Sequence, residues 1–284
     1  RSGVPPERIL LVTFTNKAAR QMMARCEQLC GSSAWSLMGG TFHGLGAKIL
    51  RQYGAALGLD PEFRILDRAD TEDQLRAAVA DLGLDLRRDG LPRIRTLCRM
   101  FSASVQSEVD LETSVSVRWP QYHYRLPQIS AIGAQFVARK HNAGVLDFDD
   151  LLVGWSLLAD PPEDAEPIVH ETSQVLRQRF VEVLVDEYQD TNAIQGRIAD
   201  QMASVGQGLT VVGDDCQGIY GFRGADARNL VGFEQRFERA ERLLLTINYR
   251  STPEILNLAN LSIARNQKRL KKVLEPERSS LGLP

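Results

Sequence analysis

Val183-Leu184-Val185-Asp186-Glu187-Tyr188-Gln189-Asp190 decides how this chain is read. A short aliphatic, β-branched run is the pattern of a strand buried on both faces of a parallel sheet. Here the run delivers two adjacent carboxylates, then a glutamine and a third carboxylate. In open α/β sheets, ligands sit in the crevice beyond the carboxyl ends of the strands. Acids at that place suit a magnesium–nucleotide site, with one carboxylate for the metal and one for an attacking water.

The same grammar, an apolar run followed by polar residues, recurs along the chain. Ile9 to Val12 runs into Thr13-Phe14-Thr15-Asn16, Leu209 to Val212 into Gly213-Asp214-Asp215, and Leu243-Leu244-Leu245 into Thr246 and Asn248-Tyr249-Arg250. Between the first two runs, Lys17 to Leu29 has helical spacing, with Ala18, Met22 and Cys26 four residues apart. Strands alternating with helices predict an α/β fold, a parallel sheet flanked by helices. From about Leu66 to Leu158 the pattern is mostly helical, with Asp67 or Asp70 as N-cap and Pro92, Pro120 and Pro127 as punctuation. This stretch reads as a helical insertion. A further helix with a basic run, Arg265, Lys268, Arg269, Lys271 and Lys272, is expected within Pro253 to Leu274.

Composition bounds the function classes. With 284 residues, 43% hydrophobic and 25% charged, the chain can bury one large core or two ordinary ones. No apolar stretch is long enough to span a bilayer, so no membrane partner is expected. The net charge of −2 gives no global pull toward nucleic acid, and any such binding has to come from local patches. Cys26, Cys30, Cys98 and Cys216 show no metal-binding spacing, as in a reduced cytoplasmic protein. Arg1 in the first position is the mark of a processed product or an excised fragment.

The second strand end, Gly213 to Asp226, combines a glycine-rich turn, an amide able to sense a phosphate (Gln217), and the aromatics Tyr220 and Phe222 beside Arg223. Exposed aromatics next to a basic residue suit base stacking; the competing reading makes both rings core residues. His43 taken alone is a satisfied structural histidine. Asp147, Asp149 and Asp150 read as a helix cap plus solvated acids ahead of a metal site. The basic run is a solvated helix face or a set of phosphate contacts.

These segments together resemble the UvrD/Rep/PcrA family of superfamily 1 DNA helicases. Thr13 to Ala19 resembles motif Ia, Gly40-Thr41-Phe42-His43 motif Ib, and Leu146 to Leu152 the acidic motif after the helical 1B insertion. Val185 to Asp190 with Thr191, Asn192 and Gln195 resembles motif II, Gly213 to Asp226 motif III, and Asn248-Tyr249-Arg250-Ser251 motif IV. Cys216 and Gly218 depart from the aspartate and serine common in the family.

The resemblance implies a RecA-like sheet with a 1B-type insertion, divided as residues 1–60 and 156–240 (domain 1A), 61–155 (insertion) and 241–284 (start of domain 2A). It implies ATP and Mg2+ as cofactors. Asp186 would hold the metal, Glu187 would activate the water, Gln217 and Arg250 would contact the γ-phosphate, and Gln189 would link nucleotide state to DNA. Phe14, Asn16, His43, Tyr220, Phe222 and Arg223 would lie along single-stranded DNA. Single-stranded DNA, its junctions with duplex, and repair or replication proteins would be the partners, and the setting the bacterial nucleoid in the cytoplasm.

ATP hydrolysis of this class needs G-x-x-x-x-G-K-[ST]. Gly40 to Lys48 is the nearest approach, with the wrong glycine spacing and Ala47 between the last glycine and the lysine. In the family that loop precedes motif Ia, and motifs V and VI follow motif IV. The expectation is therefore a helicase fragment with little activity by itself. The alternatives are a non-catalytic relative that binds single-stranded DNA or a protein, and a piece of a helicase–nuclease subunit, for which no nuclease motif is visible.

Overall fold

Four parallel strands form the central sheet: β1 (Ile9–Thr13), β2 (Met38–Thr41), β5 (Glu182–Val185) and β6 (Gly208–Val211), in the order β2-β1-β5-β6. The structure is a computed structural model that describes residues 3–206, 208–221, 224–226, 228–266, 270, 272–280 and 282. The register sets Thr13 beside Thr41, Val12 beside Val185, and Val185 beside Val211, so all four strands end at one level. The predicted α/β fold with a parallel sheet flanked by helices is what forms.

Helix α1 (Asn16–Cys30) starts where Thr15 Oγ1 accepts the Ala18 N–H, and α2 (Phe42–Tyr53) where Thr41 Oγ1 accepts that of Gly44. Both caps are threonines at strand ends, and each turns the chain within two residues. The short strand β3 (Arg64–Ile65) then leads to α3 (Arg68–Asp81), α4 (Ile94–Ser107), α5 (Leu111–Arg118) and α6 (Leu126–Asn142), and the parallel strand β4 (Val145–Leu146) returns beside β3. Asp67 caps α3, accepting from the Asp70 N–H.

These four helices own a core of Leu75, Leu97, Met100, Ile129 and Ile132, all fully buried. A second core belongs to the sheet and includes α7 (Phe148–Ala159), α8 (Pro167–Arg179) and α9 (Ala193–Ala203). Helices α2 and α7 cross at reciprocal glycines. A Cβ on Gly46 would lie 3.0 Å from the Leu151 carbonyl, and one on Gly154 would lie 2.9 Å from a Leu50 methyl. The two cores divide at β3 and β4, so α7 packs with the sheet although it adjoins the inserted helices in sequence.

Beyond β6 come the short helices α10 (Arg228–Val231) and α11 (Phe233–Arg236), the strand pair β7 (Ile247–Asn248) and β8 (Glu275–Pro276), and α12 (Pro253–Ile263) between those strands. Two expectations are corrected here. Leu243-Leu244-Leu245 is exposed and not a strand; pairing begins at Ile247, where β8 supplies the partner. The last helix stops at Ile263 instead of running to Leu274. No helix of the described residues is long and apolar enough to cross a membrane.

Candidate active site and nucleic-acid cleft

The β5 strand end is built on a strained residue. Glu187 has φ 55° and ψ 43°, a left-handed conformation that costs a non-glycine residue energy and persists only where its surroundings enforce it. The enforcement is visible. The Tyr188 N–H donates to the Val212 carbonyl at 2.9 Å, and the Asp190 N–H closes the turn onto the Glu187 carbonyl at 3.0 Å. The Tyr188 ring is fully buried edge-on to Phe233, and its hydroxyl accepts from Arg236 at 2.9 Å. Burial first, with Asp200 adding to it, raises the Tyr188 phenol pKa.

The turn presents Asp186 half-buried and Glu187 exposed. Burial, with Glu187 adding like charge, raises the Asp186 pKa, and no cationic side chain pairs with Asp186 among the described residues. A half-buried carboxylate with that need fits a divalent cation. Gln189, 1% exposed, spans the two strand ends: its Nε2 donates to Glu187 Oε2 at 2.7 Å, and its Oε1 accepts the Asp214 N–H at 2.9 Å. Asp214 in turn accepts from Gln217 Nε2 at 2.7 Å. Asp186, Glu187, Gln189 and Gln217 therefore gather at the ends of β5 and β6. Arg250 is exposed on the turn after β7, and among the described residues its guanidinium bonds to none of them.

A cleft of about 1120 Å³ opens between the sheet's carboxyl edge and the inserted helices. Phe14, Asn16 and His43 line it, together with Phe148, Asp149 and Asp190. Tyr220 lies against Phe14, ring centroids 5.1 Å apart and planes 32° from parallel, so the two rings form one aromatic surface. Phe222 and Arg223 lie outside the described residues. His43 stands edge-on to Phe148 at 5.6 Å. Burial lowers the His43 pKa, against an opposing pull from Asp149, which favours the neutral ring. Thr13 Oγ1 and Asp190 Oδ1 are buried with no hydrogen-bond partner among the described residues, and both residues line the cleft.

The acidic segment differs from its sequence reading in part. Asp147 and Asp150 do form a capping box on α7, and Lys140 Nζ pairs with both at 2.6 Å. Asp149 is only partly exposed: Ser102 and Gln106 of α4 donate to it, Gln106 at 3.2 Å, and burial raises its pKa. Phe148, half-exposed in the cleft, also went unread, although it lies inside a segment singled out for its acids. Arg265 and Lys272 follow the end of α12, and Lys268, Arg269 and Lys271 lie outside the described residues.

Comparison with known proteins identifies a family. The family model described as the UvrD/REP helicase N-terminal domain matches residues 1–238. The chain belongs to that family. Over 272 residues, 95% of its length, it is 33% identical to the ATP-dependent DNA helicase PcrA of Staphylococcus epidermidis (strain RP62A) and 32% identical to PcrA of Staphylococcus aureus (strain Mu50). The match covers 35% of each relative, so the chain spans about a third of the length of the curated relatives it matches. The β5 turn carries the residues likened above to motif II, and the β6 turn those likened to motif III.

Proposed function

We propose that this chain is part of an ATP-dependent DNA helicase that couples ATP hydrolysis to 3′-to-5′ movement on single-stranded DNA and to unwinding at duplex junctions, in repair or replication within the nucleoid. Residues 1–60 and 156–240 supply domain 1A, 61–155 the insertion, and 241–284 the start of domain 2A. One observation carries the reading: Gln189 bonds to Glu187 while the next residue, Asp190, lines the cleft. Hydrolytic groups and nucleic-acid track thus share a single buried turn, so a shift on one side is felt on the other. The relatives' name as ATP-dependent DNA helicases supports the same reading.

Asp186 would hold Mg2+, which when bound neutralises charge on the nucleotide phosphates. Glu187 orients the attacking water, with one carboxylate oxygen fixed by the Gln189 amide. Gln217 and Arg250 meet the γ-phosphate, a role in which an arginine contributes on the order of 10³–10⁵ in rate. Phe14 and Tyr220 stack on bases, with Asn16, His43, Phe222 and Arg223 along the strand.

The test is direct. Labelled oligothymidylate is expected to bind Arg1–Pro284, with affinity that falls as salt rises and weakens in Phe14→Ala by about 1–3 kcal/mol for a stacked base. No binding at low salt overturns the DNA reading. ATP turnover by the same chain is expected to be slight, since its 284 residues hold no G-x-x-x-x-G-K-[ST]. DNA-stimulated turnover abolished by Glu187→Gln overturns that expectation.

A further inference from the structure

Lys272 reaches from the segment after α12 onto the motif III turn. Its ammonium lies 2.9 Å from Asp215 Oδ1 and also hydrogen-bonds to Asp214 Oδ1, while the Leu270 N–H donates to Asp215 Oδ2 at 2.7 Å. The contact is enclosed, with 3% of the Asp215 side chain and 16% of that of Lys272 exposed. Asp214, Asp215 and Cys216 converge closely enough to hold a metal ion, and the cation seated against the two carboxylates is this ammonium.

From Asp214 the bonds lead inward. Its Oδ2 accepts from Gln217, its N–H donates to Gln189, and Gln189 donates to Glu187. An unbroken polar line therefore joins Lys272 to the water-activating carboxylate. Apolar burial does not do this work, because no apolar residue of 208–221 is buried. A turn without a core beneath it takes its shape from its charges and hydrogen bonds.

We infer that Lys272 is a positioning residue of the nucleotide site: it fixes Asp214, and through Asp214 the side chains of Gln217 and Gln189. Displacement of the 270–276 segment is thereby transmitted to the groups that meet the γ-phosphate. The inference rests on the hydrolytic roles proposed above for Glu187 and Gln217. Its geometry is tested without nucleotide or DNA, so it and that reading fail separately.

Amide exchange and side-chain amide spectra of Arg1–Pro284 decide it. In Lys272→Met, exchange at the Asp214 and Cys216 N–H groups is expected to rise about tenfold, the scale of a lost charge-assisted hydrogen bond. The Gln217 and Gln189 side-chain amide resonances are expected to shift, amides of β1 and β5 to stay unchanged, and Lys272→Arg to restore both glutamine signals. Unmoved glutamine resonances in Lys272→Met overturn the proposal, as does a failure of arginine to restore them. Should both variants unfold, the wild-type chain is decisive: a slowly exchanging Lys272 ammonium signal supports the contact, and its absence at neutral pH overturns it.

Discussion

Neighbouring strand ends carry the two polar turns of this site, and they are held in opposite ways. After β5, Tyr188, Gln189, Asp190, Thr191 and Asn192 are all buried, and α9 begins at once with a capping box between Asn192 and Gln195. After β6, no apolar residue up to Gly221 is buried, and Asp214 is held by Lys272, Gln217 and the Cys216 N–H. The two aspartates register the difference. Burial, with Glu187 adding to it, raises the pKa of Asp190. At Asp214 burial works in the same direction, but the bonds from Lys272, Gln217 and Cys216 outweigh it and lower the pKa. The first turn is thus set by the core and the second by charge.

The comparison breaks first at Tyr188. Tyr188→Ala removes a fully buried ring and is expected to cost about 3–5 kcal/mol of unfolding free energy in urea. A loss as small as that of a surface substitution would mean that the β5 turn does not rest on the core. Next is the bridge: Gln189→Leu strips partners from Glu187 and from the Asp214 N–H and is expected to cost about 1–3 kcal/mol. The control in the same urea series, Gln217→Ala on the exposed side, is expected to stay within about 0.5 kcal/mol of wild type. Equal costs would erase the distinction between the turns.

The smallest effect, and the sharpest in sign, is with pH. A raised folded-state pKa at Asp190 means a cost above that value, relieved as pH falls toward the ordinary 3.8. A lowered pKa at Asp214 means stability present above 3.8 and lost as pH falls below it. Relative to Asp190→Asn, wild type should therefore gain stability between neutral pH and about pH 4. Relative to Asp214→Asn, it should lose stability only below about pH 4. Urea melts of the three proteins across that range check both signs, and parallel curves would remove the electrostatic contrast.

Much of this was legible in the residues, for local reasons. Ile9–Val12, Val183–Val185 and Leu209–Val211 announced three strands because sheet interiors read as unbroken aliphatic runs. The fourth strand, Met-Gly-Gly-Thr, carries no such run. It is an edge strand whose glycines admit Met23 and Leu45 against the backbone. Leu243–Leu245 misled in the opposite way, since an apolar run does not state whether anything covers it. The gathering of Asp186, Glu187, Gln189 and Gln217 could be expected from strand ends alone. The enclosure of Asp149 by Ser102 and Gln106, and the seat of Lys272 between Asp214 and Asp215, could not. Each joins residues more than forty positions apart, and no local periodicity encodes such a pairing.

The strand pair β3–β4 limits how the inserted helices can change. Arg64 faces Val145 and Ile65 faces Leu146, so the chain leaves and rejoins the sheet domain through one two-strand neck. Beyond the neck the inserted helices also touch the sheet domain, with Ser102 and Gln106 on Asp149, Lys140 on Asp147 and Asp150, and Arg197 paired with Glu108, so exchanging them alters contacts of α7 and α9 as well. The neck is parallel, and parallel neighbours cannot be joined by a tight hairpin; they need a crossover of roughly a dozen residues or more. The excursion can therefore shrink to a single crossover helix but never to a turn.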